Sequence, residues 1–153
     1  MTAEHKALLS TATAEDLPLL AGLADQFFAS SRFLKGFRLE QFCRVWRDLL
    51  KSGVGVIFLL SDEDGIQGAL GGVAYPDINS GVSVASEFFW FVSPPARGQG
   101  LELYRAFEEW ARRVGCQQIR MVHLMDSMPE RLSVVYKRLG FEAAEVVYVK
   151  ELN

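Results

Sequence analysis

The chain has 153 residues, of which 50% are hydrophobic and 23% are charged. This size and composition predict a single domain over residues 1–153 with a buried core. The formal net charge of −3 argues against a protein that neutralises the phosphates of nucleic acid. The apolar run VGVIFLL is too short to span a bilayer, and the first residues lack the apolar core of a signal peptide. We therefore expect a cytoplasmic protein with neither a nucleic-acid nor a membrane partner.

The first part of the chain predicts a strand followed by two helices. Residues 5–13 are typical of a strand. Residues 13–31 predict a helix, because Thr13 is a favourable N-cap and apolar residues recur at helical spacing. A loop rich in arginine and phenylalanine, residues 30–38, leads to a second amphipathic helix that ends at Gly53.

The middle of the chain predicts three strands and a third helix. Residues 54–77 predict two strands joined by a hairpin turn from Asp62 to Gly65, and residues 82–92 predict a fourth strand. Residues 101–115 predict an amphipathic helix. Its expected inner face consists of Leu101, Tyr104, Phe107, Ala111 and Val114.

The last part of the chain predicts a strand, a helix and a strand. Residues 116–125 are typical of a fifth strand, and residues 141–152 of a final one. Between them, residues 127–140 predict a helix, with Ser127 and Glu130 in a capping-box pattern and Pro129 in the first turn.

Cysteine usage indicates a reducing compartment. Cys43 and Cys116 lie far apart in the sequence and belong to no CxxC or histidine-rich pattern. Such cysteines indicate neither a zinc site nor a disulfide framework. We therefore expect two buried thiols and no metal site.

The turn between the fourth strand and the third helix carries the strongest chemical signal. There Arg97, Gly98 and Gly100 stand between an apolar strand and an amphipathic helix. Free N–H groups at a helix start, made accessible by glycines without a Cβ, can hold a pyrophosphate, and an arginine adds a charged contact. The alternative is an ordinary glycine-containing loop with a solvated arginine. The position between strand and helix, and a second motif downstream, favour the phosphate site.

Three stretches, FFWFVSPPARGQG, the helix after it and VVYKRLGF, resemble the GNAT family of acyl-CoA-dependent N-acyltransferases, as a small bacterial or phage-type member. The resemblance implies an α/β (α+β) fold. We expect a mixed central sheet of about six to seven strands flanked by four helices, in the order β-α-α-β-β-β-α-β-α-β.

The resemblance also implies acetyl-CoA as the acyl donor. The family phosphate loop, Q/R-x-x-G-x-G/A, is matched by residues 97–102 except at Glu102, or with the frame moved except at Pro95. Relatives often have Asn where this chain has Pro129, so Ser127 is a candidate replacement. The expected acetyl-CoA contacts are Phe91, Val92, Arg97, Gly98, Gln99, Gly100, Leu101, Glu102 and Tyr136.

The same resemblance assigns candidate catalytic residues. Tyr136 matches the tyrosine that reaches the thioester sulfur and is the candidate general acid, although it could instead only pack the helix. Glu87 is the candidate general base or a structural carboxylate, and strand alternation places it on one face with Phe89 and Phe91 unless a bulge intervenes. His123 and a water relay are the other candidate bases.

The acceptor is expected to be a primary amine on a small molecule or a protein. Arg32, Lys35 and Arg38 lie in the loop that covers the substrate side of this fold and would suit an anionic acceptor, whereas the overall acidity favours a cationic one. Asp126 ends the fifth strand, where relatives often contact the substrate. The family also allows a homodimer, through exposed aromatic residues such as Tyr148.

Two other functions compete with acetyl transfer. The segment GVSVA weakly matches the nucleophile elbow of a hydrolase at Ser83, but no strand-to-helix turn follows it. A non-catalytic module that binds acyl-CoA or a protein on the same fold is the stronger alternative, because Glu102 and Pro129 depart from the family pattern.

Overall fold

The computed structural model describes residues 6–33, 36–126 and 129–152, with the side chain of Pro129 left out. Five strands form one sheet in the order β1-β2-β3-β4-β5. They are β1 (Leu8–Thr11), β2 (Gly55–Asp62), β3 (Gly65–Pro76), β4 (Ser83–Val92) and β5 (Gln118–Arg120). The first four strands pair antiparallel, and β5 runs parallel to β4.

Four α-helices flank the sheet: α1 (Ala21–Ala29), α2 (Leu39–Ser52), α3 (Gly100–Arg113) and α4 (Pro129–Arg138). None of the helices in the described ranges is long and apolar enough to cross a membrane. The expected first helix is divided, because a 3₁₀ segment (Ala14–Leu20) precedes α1. This segment contains Pro18, which has no N–H to donate to a preceding turn. Thr13 starts the segment, and its N–H donates to the Asp16 carboxylate at 2.8 Å.

The sheet has a separate hydrophobic core on each face, since successive strand side chains point to opposite sides. One face packs against α3 through Leu70, Leu103 and Phe107. The other packs against the 3₁₀ segment, α1 and α2 through Leu17 and Trp46.

The buried face of α3 differs in part from the expected one. Tyr104, Phe107 and Ala111 are buried as predicted, and Leu103 and Trp110 join them. Leu101 and Val114, expected inside, are 38% and 44% exposed. Both lie at an end of the helix, beyond the part that the sheet covers.

The pairing of β4 with β5 is short. It joins residues 84–86 of β4 to residues 118–120 of β5 and ends at Ser86 and Arg120. The expected fifth strand over residues 116–125 is thus only three residues long. Beyond Ser86 and as far as Val92, no strand in the described residues pairs with the side of β4 that faces away from β3, which we call the open side of β4.

The strand count is lower than expected. The sheet has five strands in the described residues instead of six to seven, and residues 141–152 form no strand. Their β-branched and aromatic residues favour a strand, but a strand needs a neighbour to complete its backbone hydrogen bonds. Tyr148 is 91% exposed, and the homodimer expected through it stays a prediction.

A β-bulge in β4 changes which side chains share a face. Gly71 of β3 lies opposite Phe89 and Gly72 lies opposite Glu87, so Phe88 is the extra residue and is 58% exposed. The expectation that Glu87 shares a face with Phe89 and Phe91 is therefore wrong. Glu87 lies on the α3 face with Trp90, because the bulge reverses the alternation.

Two adjacent glycines of β3 make room for aromatic rings on opposite faces. A Cβ on Gly72 would lie 2.3 Å from Cε2 of Phe107, and a Cβ on Gly71 would lie 2.4 Å from Cε1 of Phe89. Such distances are far inside van der Waals contact, so the rings could not keep their places.

We predict that Gly72→Ala lowers the free energy of unfolding by about 1–3 kcal/mol, the usual effect of overpacking a core. Gly22→Ala is the matched control, because a Cβ there meets no atom within 4 Å. Gly22 is exposed in the first turn of α1, so that change should stabilise the protein by up to about 1 kcal/mol, because alanine restricts the unfolded chain more than glycine does. Urea denaturation measures both values, and an unchanged stability of Gly72→Ala would contradict the packing described here.

Candidate active site

The start of α3 presents unpaired backbone donors. The N–H groups of Gly98, Gly100 and Leu101 have no acceptor among the described residues, whereas the N–H of Glu102 donates to the Gln99 carbonyl. Gly98 has φ +100°, a conformation that glycine adopts readily. Three free donors at the positive end of a helix dipole form a site suited to an anion.

Arg97 stands beside these donors. Its side chain is exposed, and within the described ranges it forms no hydrogen bond or ion pair. It is therefore free to approach an anion, and the phosphate contact expected of Arg97 stays a prediction.

The side chains of Gln99 and Glu102 are engaged elsewhere. The side-chain amide of Gln99 makes two hydrogen bonds with the backbone of Ala7. It accepts from the Ala7 N–H at 3.0 Å and donates to the Ala7 carbonyl at 2.9 Å. Glu102 accepts from Gln99 at 3.4 Å and lies 3.9 Å from the Lys6 ammonium. These contacts direct the Glu102 carboxylate toward the residues just before β1, where the positive charge of Lys6 lies close to it.

The open side of β4 leads directly to this turn. The N–H of Ser93 donates to the Gln67 carbonyl at 2.7 Å. Alternation along an antiparallel ladder then directs the Phe91 peptide groups toward β3, and those of Trp90 and Val92 toward the open side. The sequence analysis named Phe91 and Val92 but missed Trp90, because only the ladder shows which peptide groups are directed outward.

Trp90 and Val92 also lie under the turn. A Cβ on Gly100 would meet Cγ2 of Val92 at 3.5 Å and Cζ2 of Trp90 at 3.7 Å, which are ordinary contacts. The phosphate-type turn and the open side of β4 are thus adjacent.

Tyr136 of α4 reaches the same region from the other side. Its hydroxyl donates to the Val122 carbonyl at 2.6 Å. Its ring is stacked on His123, with centroids 6.2 Å apart, and lies 6.3 Å from the Trp90 ring. Burial, and secondarily the charge of Glu87, raises the pKa of Tyr136 above its usual range, so the phenol is protonated at neutral pH.

Glu87 is buried beneath this cluster. It is 6% exposed, and its Oε2 has no hydrogen-bond partner among the described residues. Burial raises the pKa of this carboxyl to about 8. The structure therefore brings together Glu87, Tyr136 and His123, the three candidate catalytic residues, on one side of the β4–β5 opening.

Asp126 fixes the loop that follows α1. It accepts from the Ser31 hydroxyl at 2.7 Å and from the Arg32 N–H at 3.0 Å. These hydrogen bonds lower the pKa of its carboxyl. Asp126 thus connects the loop after α1 to the residues that follow β5.

The basic loop is only partly described. The Arg32 guanidinium lies 4.8 Å from the centroid of the Phe33 ring, and Arg38 is exposed just before α2. Lys35 and Ser127 lie outside the described residues.

The other face of β4 borders an apolar cleft, which we call the phenylalanine cleft. It is lined by Leu20, Leu23, Ala24, Phe27, Phe28, Phe42, Ala69, Phe89 and Phe91. The sequence analysis missed this cleft, although Phe89 and Phe91 were placed together on one face. Its walls come from the 3₁₀ segment, α1, α2 and two strands, so no local pattern predicts it.

Solved structures with the same fold include acetyltransferases of several kinds. The aminoglycoside acetyltransferase AAC(6')-Iy, in complex with a bisubstrate analog of CoA, superposes with a TM-score of 0.74 at 18% identity, over 95% of this chain and 97% of that one. A ribosomal-protein-alanine N-acetyltransferase from Brucella melitensis gives 0.69 at 14% identity, over 95% and 99%. An acetyltransferase of Trypanosoma brucei gives 0.67 at 20%, over 95% and 99%.

A comparison with curated proteins found no match. The sequence profile of the acetyltransferase (GNAT) family, however, matches residues 23–141. This segment contains β2 to β5, the turn before α3 and Tyr136. The chain therefore belongs to the GNAT family of acetyltransferases, which are N-acyltransferases.

Proposed function

We propose that the protein transfers an acetyl group from acetyl-CoA to a primary amine by direct attack in a ternary complex. The observation that carries the proposal is the anion site at the start of α3, where three free N–H groups and Arg97 lie next to the open side of β4. This site would receive the pyrophosphate of acetyl-CoA. The related AAC(6')-Iy structure with a CoA analog supports the choice of donor.

The rest of acetyl-CoA would follow the open side of β4. Peptide groups of Trp90 and Val92 directed away from β3 can pair with the pantetheine arm. An N–H there can also polarise the thioester carbonyl, which becomes more negative as the amine attacks. Holding the amine and the thioester together would contribute much of the rate effect.

Tyr136 is the proposed general acid. The amine nitrogen bonds to the thioester carbon, the carbon–sulfur bond then breaks, and the leaving thiolate takes a proton. Tyr136 is protonated, partly buried and next to Trp90. To donate to sulfur, its hydroxyl must first leave the Val122 carbonyl.

Glu87 is the proposed base for the proton of the attacking ammonium, directly or through water. As a base it must be ionised, and its raised pKa keeps it neutral below about pH 8. His123 is the alternative base, since it lies against the Tyr136 ring.

A non-catalytic module that binds acyl-CoA remains the alternative. The departure of Glu102 from the family phosphate loop favoured this alternative. That argument is weaker in the structure, because the Glu102 carboxylate contacts Gln99 and Lys6. The hydrolase alternative gains no support, since Ser83 begins β4 and its hydroxyl faces the Cys116 sulfur at 3.8 Å.

Gly100→Glu tests the phosphate site. The new side chain would start against Val92 and Trp90, beside the free N–H groups, and its negative charge would repel a pyrophosphate, so we expect acetyl-CoA affinity to fall at least about tenfold. Isothermal titration measures the affinity. Gly100→Ala is the control, because it adds only a Cβ at ordinary contact distance. Equal affinities of the two variants would place the pyrophosphate elsewhere.

Tyr136→Phe tests the general acid. We expect kcat to fall about 10²–10⁴-fold with acetyl-CoA affinity largely kept, because the phenol acts on the leaving thiolate. Loss of the hydrogen bond to Val122 should lower stability by about 0.5–1.5 kcal/mol. Thiol release and urea denaturation measure the two effects. If Tyr136→Phe has the same kcat as the wild type, Tyr136 is not the general acid and only packs α4.

The raised pKa of Glu87 predicts a pH dependence of stability. Between about pH 4.5 and pH 8 the unfolded carboxyl is ionised while the folded one holds its proton, so the folded state binds more protons. Rising pH therefore destabilises the fold, by at most about 1.4 kcal/mol per pH unit from this one group. The contribution is fully present below pH 4.5 and is lost as pH rises through about 8.

Glu87→Gln should remove this slope, and the difference in unfolding free energy between the two proteins at several pH values isolates it from other groups. If Glu87 is also the base, kcat/KM of the wild type should rise with pH to an inflection near 8. That inflection should persist in His123→Asn and vanish in Glu87→Gln. The reverse pattern would identify His123 as the base.

A further inference from the structure

We propose that the acceptor is a small primary amine with an apolar group, and that the phenylalanine cleft receives that group. This inference rests on the proposed function and specifies its substrate class.

The lining of the cleft excludes charge. All of the described side chains that line it are apolar, and five of them are phenylalanines. Phe27 meets Phe28 at 5.2 Å and Phe91 at 5.4 Å, both edge to face. A carboxylate placed among these rings would lose its hydration with no donor among the described lining residues to replace it, and an ammonium would find ring faces but no carboxylate there.

The position of the cleft suits an acceptor. Phe89 and Phe91 flank Trp90 in β4 and point to the face opposite the Trp90 side chain. Trp90 and Val92 lie under the α3 turn, on the phosphate side. An apolar group in the cleft would therefore hold its amine beside the open side of β4, with acetyl-CoA approaching from the other face.

The cleft is narrow but its walls can adjust. The space inside measures about 20 Å³, little more than one water requires. Phe27 and Phe28 are only half-buried on the nine-residue helix α1, so their rings can turn aside for a ligand. The opposite wall is fixed, because Phe89 fills the space that Gly71 leaves.

The nearby charged residues do not line the cleft. Arg32 lies over Phe33, and Asp126 is bonded to the loop that contains Ser31. Among the described residues that line the cleft, a polyamine would find no carboxylate and an anionic acceptor would find no cation. This favours a hydrophobic amine over both charged classes that the sequence left open.

The test uses the protein loaded with CoA. Isothermal titration compares 2-phenylethylamine with 1,4-diaminobutane, and thiol release from acetyl-CoA compares their kcat/KM. We expect 2-phenylethylamine to bind, and to be turned over at least tenfold more efficiently. Failure to bind it, or a preference for diaminobutane, would overturn the inference.

Variants of the cleft make the test specific. Ala24→Leu projects into the cleft and should raise KM for 2-phenylethylamine about tenfold with unchanged acetyl-CoA affinity. Ala29→Leu, exposed on the same helix, is the matched control. Phe28→Ala, at a half-buried position, serves as a second variant and should weaken binding of this amine. Unchanged KM and affinity in both cleft variants would also overturn the inference.

The outcomes separate the two proposals. If the wild-type protein does not bind acetyl-CoA, the proposed function itself is wrong. Binding of acetyl-CoA with turnover of diaminobutane alone would keep that function and reject the hydrophobic acceptor.

Discussion

The site depends on an interruption of backbone pairing between two parallel strands. β4 and β5 pair over three residues each and then separate. Peptide groups on the open side of β4 then lack a neighbouring strand, and buried peptide groups without partners are costly. A ligand that supplies donors and acceptors along this side would complete the sheet. The interruption thus leaves a row of backbone groups with which the ligand proposed above would pair.

The bulge at Phe88 gives the two faces of β4 different chemistry. It places Glu87 with Trp90 and Tyr136 on the α3 side, and leaves Phe89 and Phe91 on the α1 side. Glu87 and Tyr136, which titrate, therefore lie on one face near the bulge, and the rings of Phe89 and Phe91 lie on the other. One inserted residue in the ladder accounts for this separation, because side chains alternate strictly on either side of it.

The turn before α3 is held in place by contacts that do not touch its donors. Gln99 bonds both backbone groups of Ala7, and Pro94–Ala96 form a 3₁₀ turn. The donors of Gly98, Gly100 and Leu101 stay free as a result. The Gln99 side chain, and not the free N–H groups, holds the turn in place. The start of α3 therefore stays available to an anion.

The sequence by itself determined the family, the hairpin, most helices and the phosphate-type turn, because glycine positions and apolar periodicity act locally. It also predicted site roles for Arg97, Gly98, Gly100 and Tyr136, and those roles stay predictions. Only the tertiary structure decided the face of Glu87, the peptide groups that face the opening, and the phenylalanine cleft. These depend on a bulge, a strand register and the meeting of α1, α2 and β4. The predicted final strand is absent from the described residues for the same reason. Residues 146–149 have strand propensity, but no described strand lies beside them. Propensity is a property of the segment, whereas pairing requires a partner elsewhere in the chain.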